Sequence, residues 1–130
     1  MRIGLIFNPT AQGDKARHLR KQLDEIRGEC TLLPTEGPGH AEDLAEQAVK
    51  DGLEVLVAAG GDGTVHEVAN GVVRHPEGLA QIKLGVLPLG TVNVLARELK
   101  VPLDFEAAWR VIRRGYHQWI DLPWMEFQME

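Results

Sequence analysis

Residues 55–69, VLVAAGGDGTVHEVA, leave the chain few choices of local structure. The run opens with five apolar residues, Val55 to Ala59, which suit a strand buried on both faces. It then breaks into Gly60, Gly61, Asp62 and Gly63, and a helical pattern follows. Thr64 and Glu67 stand at capping-box spacing, so the Thr64 hydroxyl would accept an N–H of the first turn and Glu67 would reach back. The expected unit is strand, glycine turn, helix start. Such a unit aims unpaired N–H groups and the positive end of a helix at one point, where an anion can sit. Glycine lets the backbone approach a phosphate closely and adopt positive φ.

The rest of the chain repeats that alternation. Residues 3–7 read as a buried first strand, followed by the polar loop NPTAQG and an amphipathic helix over 15–27 with Ala16, Leu19, Leu23 and Ile26 inward. Residues 30–33 form a second strand, 35–39 a loop, and 40–50 a helix with Ala41, Leu44, Ala45 and Ala48 inward. The helix after the glycine turn should run to about Arg74, where His75-Pro76 ends it. A fourth strand over 83–87 leads to Pro88-Leu89-Gly90-Thr91 and a helix beginning near Asn93. Asp104 is a good N-cap for a helix over 105–114 with Ala108, Val111 and Ile112 inward, closed by Gly115, and 116–122 reads as a fifth strand. Strands alternating with helices predict a three-layer α/β/α domain with a mostly parallel sheet. The polar loops all follow strands, so a parallel sheet gathers them at one edge.

Composition removes several classes of function. The chain has 130 residues, 44% hydrophobic and 25% charged, as expected for a globular domain. A net charge of −5 disfavours nucleic acid as a partner. Cys30 is the single cysteine, which fits a reducing cytoplasm and excludes a disulfide framework or cysteine metal cluster. The opening MRIGLIFNP meets Asn-Pro too soon for a signal peptide, and no apolar run reaches spanning length, so membrane contact would be peripheral.

There is no GxxxxGK[ST] and no GxGxxG at the turn, which disfavours a P-loop kinase and a dinucleotide-binding Rossmann site. What is present is GGDGTVHEVANGV, then PLGTVNVLAREL, with NPTAQG early. Together these resemble the diacylglycerol kinase catalytic domain, and most of all the related bacterial lipid kinases, which share a fold with sphingosine kinases and NAD kinases. The resemblance covers residues 3 to about 121. GGDGT alone is shared with NAD kinases; its combination with Glu67, Asn70-Gly71, Pro88 to Thr91, Asn93 and Ala96-Arg97 is far more specific.

The resemblance implies the N-terminal, nucleotide-binding lobe of such a kinase over residues 1–122, with ATP and Mg²⁺ as ligands and a lipid hydroxyl as acceptor. It places Asn8, Pro9 and Thr10 at the nucleotide from the first loop, Thr35 from the second and Thr91 from the fourth. Gly60, Gly61, Asp62, Gly63, Thr64, Val65 and His66 would wrap the phosphates, and Asp62 is the candidate catalytic residue, orienting Mg²⁺-bound water or phosphate. A carboxylate beside a triphosphate makes electrostatic sense only with a cation between them. Family members carry a second, β-rich lobe that supplies the general base and a structural metal site. Residues 123–130 do not look like its usual start, which leads us to expect little kinase activity from this chain alone and an exposed interlobe face able to self-associate. An NAD-kinase-like enzyme and a non-enzymatic nucleotide-binding fragment stay open as alternatives.

Plainer roles suit other residues. Glu67 and Asn93 read as caps or loop braces, and His66 as solvated or packed. His18, His40, His75 and His117 lack metal-ligand spacing. Trp109, Trp119 and Trp124 read as core or interlobe residues. Arg97, Lys100, Arg110, Arg113 and Arg114 form a basic C-terminal part that reads as a solvated face, with attraction to anionic lipid headgroups as the sharper alternative.

Overall fold

A computed structural model describes residues 1–10, 14–75, 78–90, 93–117 and 120. Its elements run β1 (Ile3–Phe7), α1 (Asp14–Ile26), β2 (Thr31–Pro34), α2 (His40–Lys50), β3 (Val55–Gly60), α3 (Asp62–Val73), α4 (Gly78–Gln81), β4 (Lys83–Pro88), α5 (Val94–Glu98) and α6 (Phe105–Arg114). The four strands form one sheet in the order β2-β1-β3-β4, and every pairing is parallel. Ile3 sits opposite Val55, and Val55 opposite Lys83, so the strands stay in step across the sheet.

Alternation along β3 divides the core. Val55, Val57 and Ala59 join Ile3 and Leu5 on the face covered by α1 and α6, through Leu19, Leu23, Ile26, Trp109 and Ile112. Leu56 and Ala58 join Ile6 on the opposite face, covered by α2 and α3 through Ala45, Ala48, Val65, Val68 and Val72. That is the expected three-layer arrangement. A strand buried on both faces has no polar face, which is why β3 reads as a continuous apolar run.

Helices α2 and α3 pack closely because Gly71 leaves no side chain between them. A Cβ there would run into the carbonyl of Glu42 and come within 2.6 Å of the Ala45 methyl. Arg74, the C-cap of α3, fastens the pair by contacting Glu42 at 2.8 Å, Asp43 at 3.2 Å and Glu46 at 3.4 Å. Desolvation acts to lower the Arg74 pKa, yet the charge of Glu42 and the bonds to Glu46 and Asp43 raise it. Helix α6 is capped as expected. Asp104 accepts from Ala107 N–H at 3.0 Å, and Gly115 ends the helix at φ 72°.

The differences are local. Leu44 and Val111 are half-buried, and Val49 takes the inward place on α2. The short α4 had no sequence signal. Of the expected fifth strand, Tyr116, His117 and Ile120 lie in no strand, and the remainder falls outside the described residues, as do Trp119 and Trp124. Among the described strands β4 pairs only with β3. Its outer side, with Leu84, Val86, Val72, Leu95, Val111 and Ile112, borders an apolar groove of about 590 Å³. Among the described residues no helix is long and apolar enough to cross a membrane.

Candidate functional site

The strand order reverses between β1 and β3: from β1 the chain moves out to β2, then returns to add β3 on the other side. A crevice opens at such a switch point, beyond the carboxyl ends of the strands. Register places the loops in a row there, since Pro34 lies beside Phe7, Phe7 beside Ala59 and Gly60 beside Pro88. Thr35, the Asn8 loop, the glycine turn and Leu89 therefore share one edge. The structure brings together the candidates Asn8, Pro9, Thr10, Thr35 and Gly60 to His66; Thr91 lies outside the described residues, as do residues 11–13.

The glycine turn is tighter than its sequence suggests. Gly61 is itself the N-cap, in extended conformation at φ −90°, and α3 begins at Asp62. Among the described residues no side chain caps the helix, and Glu67 bonds to Gly39 instead, so the capping box expected from Thr64 and Glu67 does not form. Thr64 already lies inside the first turn and packs on Gly60, where a Cβ would come within 2.6 Å of its hydroxyl. The expectation of positive φ also fails, for none of Gly60, Gly61 and Gly63 adopts it. Close approach accounts for Gly60 and Gly61 instead, since a Cβ on Gly60 would meet the Thr64 side chain and one on Gly61 would lie 3.2 Å from Gly90 Cα. A Cβ on Gly90 would lie 2.6 Å from Gly61 Cα, so the third and fourth loops touch backbone to backbone. Gly63 differs: a Cβ there would meet nothing within 4 Å. The missing side chain on Gly63 is therefore not forced by its neighbours, and the space beside the first turn is open there.

Each neighbouring loop is tied down. Leu89 N–H donates to Gly60 O at 3.0 Å. Asn93, buried and in left-handed conformation at φ 55°, grips Gly90 twice: its Oδ1 accepts from Gly90 N–H at 3.0 Å and its Nδ2 donates to Gly90 O at 2.8 Å. Asparagine is among the few residues that tolerate that conformation. Asp62 Oδ1 accepts from Val94 N–H at 2.7 Å, joining the start of α3 to the start of α5. On the other side Thr35 N–H donates to Phe7 O at 2.9 Å. In the first loop, Asn8 Oδ1 accepts from both the N–H and the hydroxyl of Thr10.

Not every candidate faces the crevice. Val65 is buried in the core, and its N–H donates to Gly61 O at 3.2 Å. His66 is exposed, and its Nε2 lies 3.1 Å from Asn70 Nδ2, one turn along the helix. The reading of Asn93 as a brace holds, through its own loop. Sequence reasoning passed over Arg20, whose guanidinium donates to Pro9 O at 3.1 Å and brings a positive charge beside the first loop. Only α1 folding back along β1 creates that contact, and no local motif marks it.

Asp62 is exposed at the edge, with one oxygen used by Val94. Among the described residues no three His, Cys, Asp or Glu side chains gather as a metal site. One exposed carboxylate at a helix start is a donor set that suits Mg²⁺, which keeps its waters and is bound chiefly through one or two carboxylates and a substrate's phosphates.

Known proteins share this arrangement. The family model described as the diacylglycerol kinase catalytic domain matches residues 2–125. The diacylglycerol kinases of Staphylococcus aureus strains bovine RF122 / ET3-1 and MRSA252 are each 38% identical over 125 residues, covering 93% of this chain and 39% of theirs. A solved diacylglycerol kinase structure from Bacillus anthracis str. Sterne superposes with a TM-score of 0.75 at 27% identity, over 88% of this chain and 40% of that one. A structure of a putative diacylglycerol kinase from the same source gives 0.74 at 28% identity over the same shares. The chain thus spans 39% of the length of these curated relatives.

Proposed function

The chain belongs to the diacylglycerol kinase catalytic domain family, and on that premise we propose that its glycine turn holds the phosphates of ATP, as the nucleotide-binding lobe of a lipid kinase. The observation that carries this reading is the turn itself: a strand–glycine–helix junction at the switch point, with free space beyond Gly63. Gly61, Asp62, Gly63 and Thr64 contribute first-turn N–H groups and the helix dipole to the phosphates. Asn8, Pro9, Thr10 and Thr35 line the neighbouring loops, and Thr91 belongs to the same set by resemblance. Val65 acts through the backbone it anchors, and His66 borders the turn. Asp62 is the catalytic candidate. One oxygen of its exposed carboxylate accepts from Val94 N–H, and the carboxylate would hold Mg²⁺ or its water. When bound, Mg²⁺ neutralises charge on the phosphates.

In the proposed reaction the lipid hydroxyl oxygen bonds to the γ-phosphorus as the bond from that phosphorus to ADP breaks. The hydroxyl proton passes to a base that the resemblance assigns to the second lobe. A diacylglycerol-like acceptor resides in a bilayer, so the enzyme would work from the cytoplasm as a peripheral protein. Assayed as these 130 residues alone, the domain should bind ATP weakly and transfer little phosphate.

Calorimetry of ATP–Mg²⁺ binding to wild type and Asp62→Ala tests the site. The wild type should bind, and the variant should bind about tenfold more weakly, the loss expected for one charge-assisted contact. Equal affinities would remove Asp62 from nucleotide binding. Supplying diacylglycerol or NAD with labelled ATP to a longer form carrying both lobes would identify the acceptor.

A further inference from the structure

On the nucleotide reading above, we propose that Glu67 is a positioning residue for ATP, coupling the Thr35 loop to the glycine turn. Its carboxylate does not serve its own helix. Instead, Oε1 accepts from Gly39 N–H at 2.6 Å, across the gap to the start of α2. Helix α2 needs that partner. Its N-cap is Gly39, at φ 83°, which has no side chain of its own to cap the helix. A carboxylate at that point satisfies a donor and meets the positive end of the α2 dipole.

The consequence lies in what else is fixed. The loop between β2 and α2 is tied to β1 at its start, through Thr35 N–H and Phe7 O. Within the loop, Glu36 N–H donates to His40 Nδ1 at 2.9 Å. Glu67 fastens its far end to α3, one turn past Gly63. Any shift at the start of α3 is thereby passed to the Thr35 loop. Arg74 clasps the same two helices at the other end of α3, but its partners Glu42, Asp43 and Glu46 all lie within α2, beyond the loop. The two clasps therefore do different things: Arg74 holds helix to helix, and Glu67 holds loop to turn.

Three variants of the 130-residue chain separate these roles. Glu67→Ala should speed hydrogen exchange at the Gly39 amide and weaken ATP–Mg²⁺ binding about tenfold, as for a lost charge-assisted hydrogen bond. Glu67→Gln keeps an acceptor oxygen and should restore affinity to within about threefold of wild type, since a neutral bond is weaker than a charged one. Arg74→Ala should lower the urea midpoint while leaving ATP affinity and Gly39 exchange as in wild type. Unchanged Gly39 exchange in Glu67→Ala would overturn the proposal, as would equal loss of affinity in Arg74→Ala. If the wild type bound no ATP while Gly39 exchange still rose in Glu67→Ala, the nucleotide reading would fall and the brace would stand.

Discussion

A methyl group added at Gly63 would touch nothing, whereas one at Gly71 would strike the Glu42 carbonyl and the Ala45 methyl. Both glycines sit inside α3, so the two substitutions separate fold from ligand. Gly63→Ala should leave stability unchanged or raise it by up to about 1 kcal/mol through helix propensity, yet reduce ATP affinity by filling the space beyond the turn. Gly71→Ala should cost about 1–3 kcal/mol, because α2 must move away from α3. Urea midpoints and calorimetry on the same samples would show the split; an affinity unaffected by Gly63→Ala would argue against phosphates at that face. Cys30 offers a different residue-scale test. Burial pushes its thiol pKa up, and the Glu29 charge adds to the effect. Only the thiolate reacts, so alkylation should stay slow at pH 7 and accelerate only above the ordinary thiol range. Rapid labelling at neutral pH would contradict that.

At the scale of elements, α6 shows where sequence signals suffice. Asp104 and Gly115 mark its two ends from sequence, and both serve as caps in the structure. Asp104→Ala should therefore cost about 1 kcal/mol in chemical denaturation. The four strands of the sheet and the longer helices were equally legible, because burial on one face or two leaves a period in the apolar residues, whereas the strand expected over 116–122 has no counterpart among the described residues. The start of α3 was misread for a physical reason. A capping box is a local pattern, but Gly61 caps without a side chain and Glu67 is drawn away by the bare start of α2. Likewise, the glycines of the turn looked like positions for positive φ, when what crowds a side chain is Thr64 at Gly60 and the backbone of Gly90 at Gly61. Contacts between loops far apart in sequence, such as Asp62 with Val94 or Arg20 with Pro9, leave no periodic trace. The candidate site was thus legible as a set of loops, but not as the bonds that hold them together.

At the scale of the whole molecule, ligand and stability are linked. A nucleotide bound only by the folded chain should stabilise it by about 2.7 kcal/mol at a concentration 100-fold above Kd. Melting temperature should therefore rise with ATP–Mg²⁺ in the wild type and rise less in Asp62→Ala at the same concentration. The strand order also has a consequence for how this molecule comes into being. Among the described strands no two neighbours can be joined by a tight hairpin, since every pairing is parallel. As a ribosome releases the chain, β1 emerges before the other three described strands, so its pairing waits for residues 31–34 on one edge and residues 55–60 on the other. Contacts so distant along the chain slow folding, because loop entropy is lost before any pairing compensates. The glycine turn cannot be set until β3 has entered beside β1 and the following strand has brought Gly90 against Gly61. A nascent chain stalled before residue 90 would have the whole GGDGT sequence and no finished cradle.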